Sequence, residues 1–225
     1  MLSITVRNYL KIFFLFSASS FLLGEFLSRK FSVYPLVHFG ALWLGVISVA
    51  FSIFVLKDIL GLVFPRHTKL LTQISLVFVF SICGYALYNA SLGPKLKEIK
   101  IPIKKLPSGL PGFSIVQLSD LHLGALTSKK WLKSVVDKTN ELKPDLIVIT
   151  GDLIDQDICK FEDFFEILKR LKSKYGIFAV TGNHEFYAGI EKFMEIAKKL
   201  RIVVLRNEKI TVADSPASPS GGIEL

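Results

Sequence analysis

Three short, very apolar runs, Phe113 to Leu118, Leu146 to Ile149 and Ile177 to Val180, each break directly into a polar cluster. The clusters are Ser119-Asp120-Leu121-His122-Leu123-Gly124, Thr150-Gly151-Asp152-Leu153-Ile154-Asp155 and Thr181-Gly182-Asn183-His184-Glu185. An apolar run of that length, closed by a turn and followed by an amphipathic stretch, fits a buried parallel strand with a polar loop at its carboxyl end. That edge is where open α/β sheets hold ligands.

The stretches between the runs fit helices. Thr127 or Ser128 can cap one that presents Trp131, Leu132, Val135, Val136, Thr139 and Leu142 on one face, and Pro144 ends it. A second carries Phe161, Phe164, Phe165, Leu168 and Leu171, with Gly176 placed to terminate it. A third, with Ile190, Phe193, Met194, Ala197 and Leu200, precedes a fourth strand from Ile202 to Leu205. This βαβαβαβ order predicts an α/β domain with a mostly parallel sheet and right-handed crossovers. Pro94 to Pro111, with alternating Leu96, Ile99, Ile101 and Ile103, reads as an edge strand, where proline is tolerated.

The first ninety residues are of another kind. Of the whole chain 51% is hydrophobic, and the excess lies before residue 93. Tyr9 to Leu27, Tyr34 to Leu56 and Leu70 to Ala90 are each about the 20 residues that a helix needs to cross a bilayer. The expected organisation is a membrane anchor of three transmembrane helices over 1–93 and a second domain over 94–225. No charged pair in the spans suggests a transporter. Arg7 and Lys11 at the amino end, with Lys57, Arg66 and Lys69 in the second connection, outnumber Arg29 and Lys30 in the first. That bias puts the amino terminus in the cytoplasm and the second domain outside, whereas the five lysines from Lys95 to Lys105 argue the opposite. Cys83 and Cys159 suggest neither a disulfide framework nor a zinc knuckle.

The net charge of +9 raises nucleic acid as a partner, but the lysines are scattered and no aromatic residues interleave them. No nucleic acid is expected; a phosphate-bearing substrate or a lipid headgroup suits the field better.

Two adjacent divalent ions need one shared ligand and a surround of oxygens and imidazoles. Asp152, opening the loop of the central strand, suits the bridge. Asp120 and His122, one residue apart in an extended loop, would point to the same side and hold the first metal. Asn183 offers an amide oxygen to the second. His184 would stand over the substrate, stabilising the transition state or protonating the leaving oxygen. Gly151 and Gly182 let the backbone come close. Each cluster alone is a common turn or helix cap, but 30 residues separate His122 from Asp152 and 31 separate Asp152 from Asn183, in the same order along successive strand ends.

The motifs Asp120-x-His122, Gly151-Asp152-x-x-Asp155 and Gly182-Asn183-His184-Glu185 resemble those of the calcineurin-like metallophosphoesterase superfamily. The bacterial membrane-anchored branch is the nearest likeness, supported by Val204-Leu205-Arg206-Asn207-Glu208. The resemblance spans about residues 96–212. It implies a four-layer αββα sandwich, of which this chain would supply the first half, and a multi-pass protein of the bacterial inner membrane. It also implies a two-metal centre (Mn, Fe, Zn or Mg) at which a metal-bound hydroxide attacks a phosphomonoester, phosphodiester or diphosphate. Some relatives cleave the diphosphate of a UDP-diacylglucosamine lipid precursor. The superfamily pattern also calls for histidines after the Asn-His motif, yet the four here are His38, His67, His122 and His184. Asp120, His122, Asp152 and Asn183 alone leave both ions under-coordinated. A truncated or fragmentary enzyme is therefore expected, with a non-catalytic membrane-anchored interaction module as the alternative. Ala213 to Gly222 reads as a flexible loop and Ile223 to Leu225 as the start of a strand.

Overall fold

The structure is a computed structural model and describes residues 4–28, 31, 33–103, 112–155, 162–212 and 223–224. Cys159, Phe161 and the loop from 213 to 222 lie outside the described residues. The chain divides into two compact units, Met1–Gly93 and Pro94–Leu225.

The first unit is three helices: α1 (Ile4–Ser28), α2 (Tyr34–Val63) and α3 (Thr68–Ser91). Pro35 sits at the start of α2, where its missing N–H costs nothing, and a 3-10 turn at Pro65–His67 separates α2 from α3. Two stretches, Pro35–Val63 and Pro65–Ser91, are long and apolar enough to cross a membrane, and hardly any of either is buried within the protein. Leu42, Phe51, Leu62, Phe78 and Phe80 are all exposed, as on a helix surrounded by hydrocarbon. Hydroxyls on these helices turn back on their own backbone: Ser48 donates to the Leu44 carbonyl (2.8 Å) and Ser52 to that of Ser48 (2.9 Å).

In the second unit β1 (Ile115–Leu118), β2 (Leu146–Thr150), β3 (Ile177–Val180) and β4 (Ile202–Val204) form a parallel sheet in the order 1-2-3-4. The register pairs Ile115 with Leu146, Ile147 with Ile177 and Ile177 with Ile202. Between them run α4 (Lys129–Glu141), α5 (Glu162–Leu168) and α7 (Ile190–Lys199), with a short α6 (Asn183–Ala188) before α7. Right-handed crossovers in a monotonic strand order put every helix on one face. The main core confirms it: Leu132 and Val136 of α4, Phe164 and Leu168 of α5, and Phe193 and Ile196 of α7 pack with Ile147, Ile149 and Ile177. On the opposite face Leu146 and Phe178 meet only a small cluster with Val212 of β5 (Thr211–Val212), which pairs antiparallel with β6 (Ile223–Glu224). Ile115, Val180 and Val203 on that same face stay exposed.

Several expectations need correction. Residues 94–103 form no strand, since the segment joins no ladder; 104–111 lie outside the described residues. Ser128, not Thr127, caps α4, accepting the Trp131 N–H at 3.1 Å, while the Thr127 hydroxyl donates to the His122 carbonyl. α5 ends at Leu168, so Leu171 is buried from a turn, and Gly176 (φ +104°) starts the entry to β3 without ending a helix. Leu142 and Met194 are exposed: Leu142 sits at the helix cap, already off the buried stripe.

Candidate metal centre

The first two loops stay paired beyond their strands. The Asp120 N–H donates to the Gly151 carbonyl (3.3 Å), that of His122 to Asp152 (3.0 Å) and that of Leu123 to Leu153 (2.9 Å). The Asp155 N–H returns to the Leu123 carbonyl at 3.1 Å, and Leu123 bridges Ile154 in parallel fashion. Within this frame Asp120, His122 and Asp152 adopt left-handed backbone, with φ of 54°, 43° and 51°. The expected extended loop is therefore wrong, although the two side chains still meet on one side. Lys143 and Arg201, also left-handed, each sit one residue past a helix cap, where that conformation ends a helix. No cap explains the conformation at Asp120, His122 and Asp152. Left-handed non-glycine residues cost about 1–3 kcal/mol each and gather at functional sites.

The third loop is fixed to the second by Glu185, which is fully buried. Its Oε2 accepts the N–H groups of Gly182 (2.7 Å) and Asp152 (3.0 Å), and its Oε1 those of Leu153 (2.8 Å) and Ile154 (3.2 Å). A carboxylate at the third position of α6, reaching back to the residue before the helix, is a capping interaction. Here it also ties down the whole Asp152 turn. Gly182 has to lack a side chain: a Cβ there would collide with Asp152 Oδ1 and lie 2.7 Å from its backbone N.

Donor atoms of His122, Asp152 and His184 all lie within 4.8 Å of one another. The two imidazoles meet edge to face with centroids 4.5 Å apart. His122 Nε2 lies 3.9 Å from Asp120 Oδ1, and Asp120, whose hydroxyl neighbour Ser119 donates to its other oxygen, is largely exposed. Asp155 Oδ1 lies 3.5 Å from His122 Nδ1 and 2.8 Å from His184 Nδ1. That last contact is too oblique for a hydrogen bond, so the buried His184 Nδ1 has no hydrogen-bond partner. The His184 backbone N–H donates to Asp152 Oδ1 at 3.0 Å. Asn183, first residue of α6, is exposed beside this group.

This donor set fits divalent ions. Imidazole and carboxylate together suit Zn, Mn or Fe, and the donor atoms of His122, Asp152 and His184 are close enough together to share one ion. The orphaned buried nitrogen of His184 is an unmet demand of the same kind. Two residues of the constellation had no role in the sequence reading: Asp155, between the imidazoles, and Glu185, beneath the turn. Their signal was present in the spacings Asp152-x-x-Asp155 and Gly182-x-x-Glu185.

A family model for the calcineurin-like phosphoesterases matches residues 113–221, which carry all three loops. The second unit belongs to that family. Its members are hydrolases that use divalent metals. A zebrafish (Danio rerio) transmembrane protein with a metallophosphoesterase domain is 36% identical over 142 residues, 63% of this chain and 32% of its own length. An uncharacterized metallophosphoesterase of Helicobacter pylori is 34% identical over 163 residues, 71% of this chain and 41% of its own. One from Bacillus subtilis is 38% identical over 104 residues, 45% of this chain and 36% of its own. The chain thus spans about a third to two-fifths of the length of these curated relatives. Among solved structures, a Pseudomonas putida nuclease aligns with 42% of this chain and 48% of its own at 22% identity and a TM-score of 0.30.

Proposed function

We propose that the chain is the membrane-anchored part of a metal-dependent phosphoric ester hydrolase whose site lies over the carboxyl edge of β1, β2 and β3. The observation that carries the reading is the convergence of His122, Asp152 and His184 within 4.8 Å, on loops strained into left-handed backbone. Asp120 and His122 would hold one ion, Asp152 would be the ligand shared with a second, and Asn183 would offer that second ion an amide oxygen. Bound there, such ions supply Lewis acidity toward phosphoryl oxygens and make water acidic near neutral pH.

The protein's own groups do the rest. Glu185 holds the Asp152 turn rigid, so its carboxylate needs little reorganisation. Asp155, 2.8 Å from His184 Nδ1, limits how the ring can turn. The opposite nitrogen, Nε2, then faces the substrate, where the doubly protonated imidazolium would donate to the leaving oxygen. Asp120, largely exposed, leaves its carboxylate accessible from solvent to the phosphate group of an ester or diphosphate.

α1 is the third span, which makes the anchor multi-pass in the bacterial cell membrane. The second unit joins a further sheet across its uncovered face in the αββα arrangement, for which exposed Ile115, Val180 and Val203 are the support. A lipid-linked diphosphate such as UDP-diacylglucosamine is the sharper reading of the substrate, favoured by the anchor.

The test is hydrolysis of bis-p-nitrophenyl phosphate by the detergent-solubilised chain with added manganese. Weak nitrophenol release, above a chelated baseline and lost in Asp152→Ala, is expected of this part of the enzyme. Hydrolysis indifferent to chelator and to that substitution contradicts the reading.

A further inference from the structure

The hairpin of α1 and α2 is tight at one end and open at the other. Near the turn, Gly24 packs on Val37, and Gly40 lies against the backbone of Phe21 so closely that a Cβ would clash there. Small residues let two membrane helices approach in this way. Toward the amino end the helices part and leave a cleft of about 700 Å³. Its walls are apolar: Phe14, Ala18 and Phe21 on α1, Trp43 and Ile47 on α2. Trp43 is braced by the rings of Phe13 (5.1 Å) and Phe39 (6.3 Å).

Two cations, Arg7 and Lys11, line the amino end of the cleft, one turn apart on the face that continues through Phe14 and Ala18. Among the described residues no acidic side chain lines it. The register set by Gly24 on Val37 and Gly40 on Phe21 puts Arg7 level with the turn from Phe54 to Lys57. That level is about 30 Å from Tyr34 along α2, the thickness of a bilayer core. The cations thus stand at headgroup depth and the apolar walls at acyl-chain depth. Ser17, 1% exposed, lies deeper, between Phe14 and Ala18 along α1, and its Oγ has no hydrogen-bond partner. Ser48 and Ser52, by contrast, are satisfied by the carbonyl four residues back.

We propose that this cleft binds one anionic phospholipid, its phosphate on Arg7 and Lys11 and an acyl chain between Phe14, Ala18, Trp43 and Ile47. The site rests on the reading of α1 as a membrane span and is separate from the metal centre. It makes the anchor selective for lipid charge. About ten residues of α1 from Lys11 to Phe21 give the slot a length of about 15 Å, enough for most of an acyl chain.

Native mass spectrometry of the full chain from detergent tests it, with phosphatidylglycerol and phosphatidylcholine as competing probes. One phosphatidylglycerol is expected to be retained in preference, and Arg7→Ala/Lys11→Ala to reduce that retention about tenfold. The control Arg66→Ala/Lys69→Ala removes the same charge from the α2–α3 turn and is expected to leave retention unchanged. Ala18→Trp fills the slot with both cations kept and is expected to abolish retention, which covers the case in which the double variant misfolds. Equal retention of the two lipids, an equal loss in the control, or retention unchanged in Ala18→Trp overturns the site. Cysteines introduced at Asn8 and Ser28 and labelled by an impermeant maleimide from the same side of the membrane overturn the span reading of α1 beneath it, which keeps the two failures distinct.

Discussion

His184 Nδ1 and Asp155 Oδ1 lie 2.8 Å apart with no hydrogen bond aligned between them. Both belong to loops that follow neighbouring parallel strands, and the contact is made where β2 and β3 end. A carboxylate held against one edge of an imidazole decides which nitrogen carries the proton and where the other points. On the proposed reading, this relationship separates residues that would hold metal from the one that would act on substrate.

The division is testable at His184. His184→Asn is expected to lower phosphodiester hydrolysis by about 10²–10⁴-fold while manganese content stays at the wild-type level. Asp155→Asn is expected to lower it less, with metal again retained. Elemental analysis beside the rate measurement checks both. Loss of metal in His184→Asn would make that imidazole a ligand, a role its distance to His122 and Asp152 also permits.

Glu185 makes the second prediction. Its two oxygens accept four backbone N–H groups, from Asp152, Leu153, Ile154 and Gly182. Glu185→Gln keeps the shape but turns an NH2 toward two of those donors. Buried donors left unpaired cost about 1–3 kcal/mol each, so a loss of about 3 kcal/mol is expected in thermal or urea unfolding of the second unit. A variant as stable as wild type would show that the turn holds itself without the carboxylate.

Two glycines separate close approach from backbone strain. Gly182→Ala puts a methyl into Asp152 at an ordinary negative φ (−95°), so its cost comes from contact alone. About 1–3 kcal/mol and a weakened affinity for manganese are expected. Gly189→Ala meets nothing closer than 3.9 Å but sits at φ +104°. It is expected to cost about 1 kcal/mol and to leave manganese affinity unchanged. Isothermal titration of both variants checks the contrast.

The sheet was legible because an apolar run that stops abruptly at Asp or Gly leaves few alternatives, and Ile177–Val180 matches residue for residue. Strand ends elsewhere moved by one or two residues, since Phe113 packs on Tyr175 outside the ladder. Less legible was whatever depends on backbone sign: nothing in Asp120-Leu121-His122 announces left-handed φ, which the pairing of their N–H groups with Gly151 and Asp152 imposes. Alternating Leu96, Ile99, Ile101 and Ile103 suggested a strand, yet a strand needs a partner edge and these four stay exposed. Asp155 and Glu185 were visible as residues but not as roles, because their partners lie about 30 residues away in sequence.

The most direct test of the whole account is manganese binding to the full chain, read by electron paramagnetic resonance during titration. The three loops, acting together, are expected to bind the ion at least about tenfold more tightly in the wild type than in Asp152→Ala, the one substitution that removes the shared ligand. Equal affinity in the two proteins would mean that the convergence at the carboxyl edge of β1, β2 and β3 holds no metal.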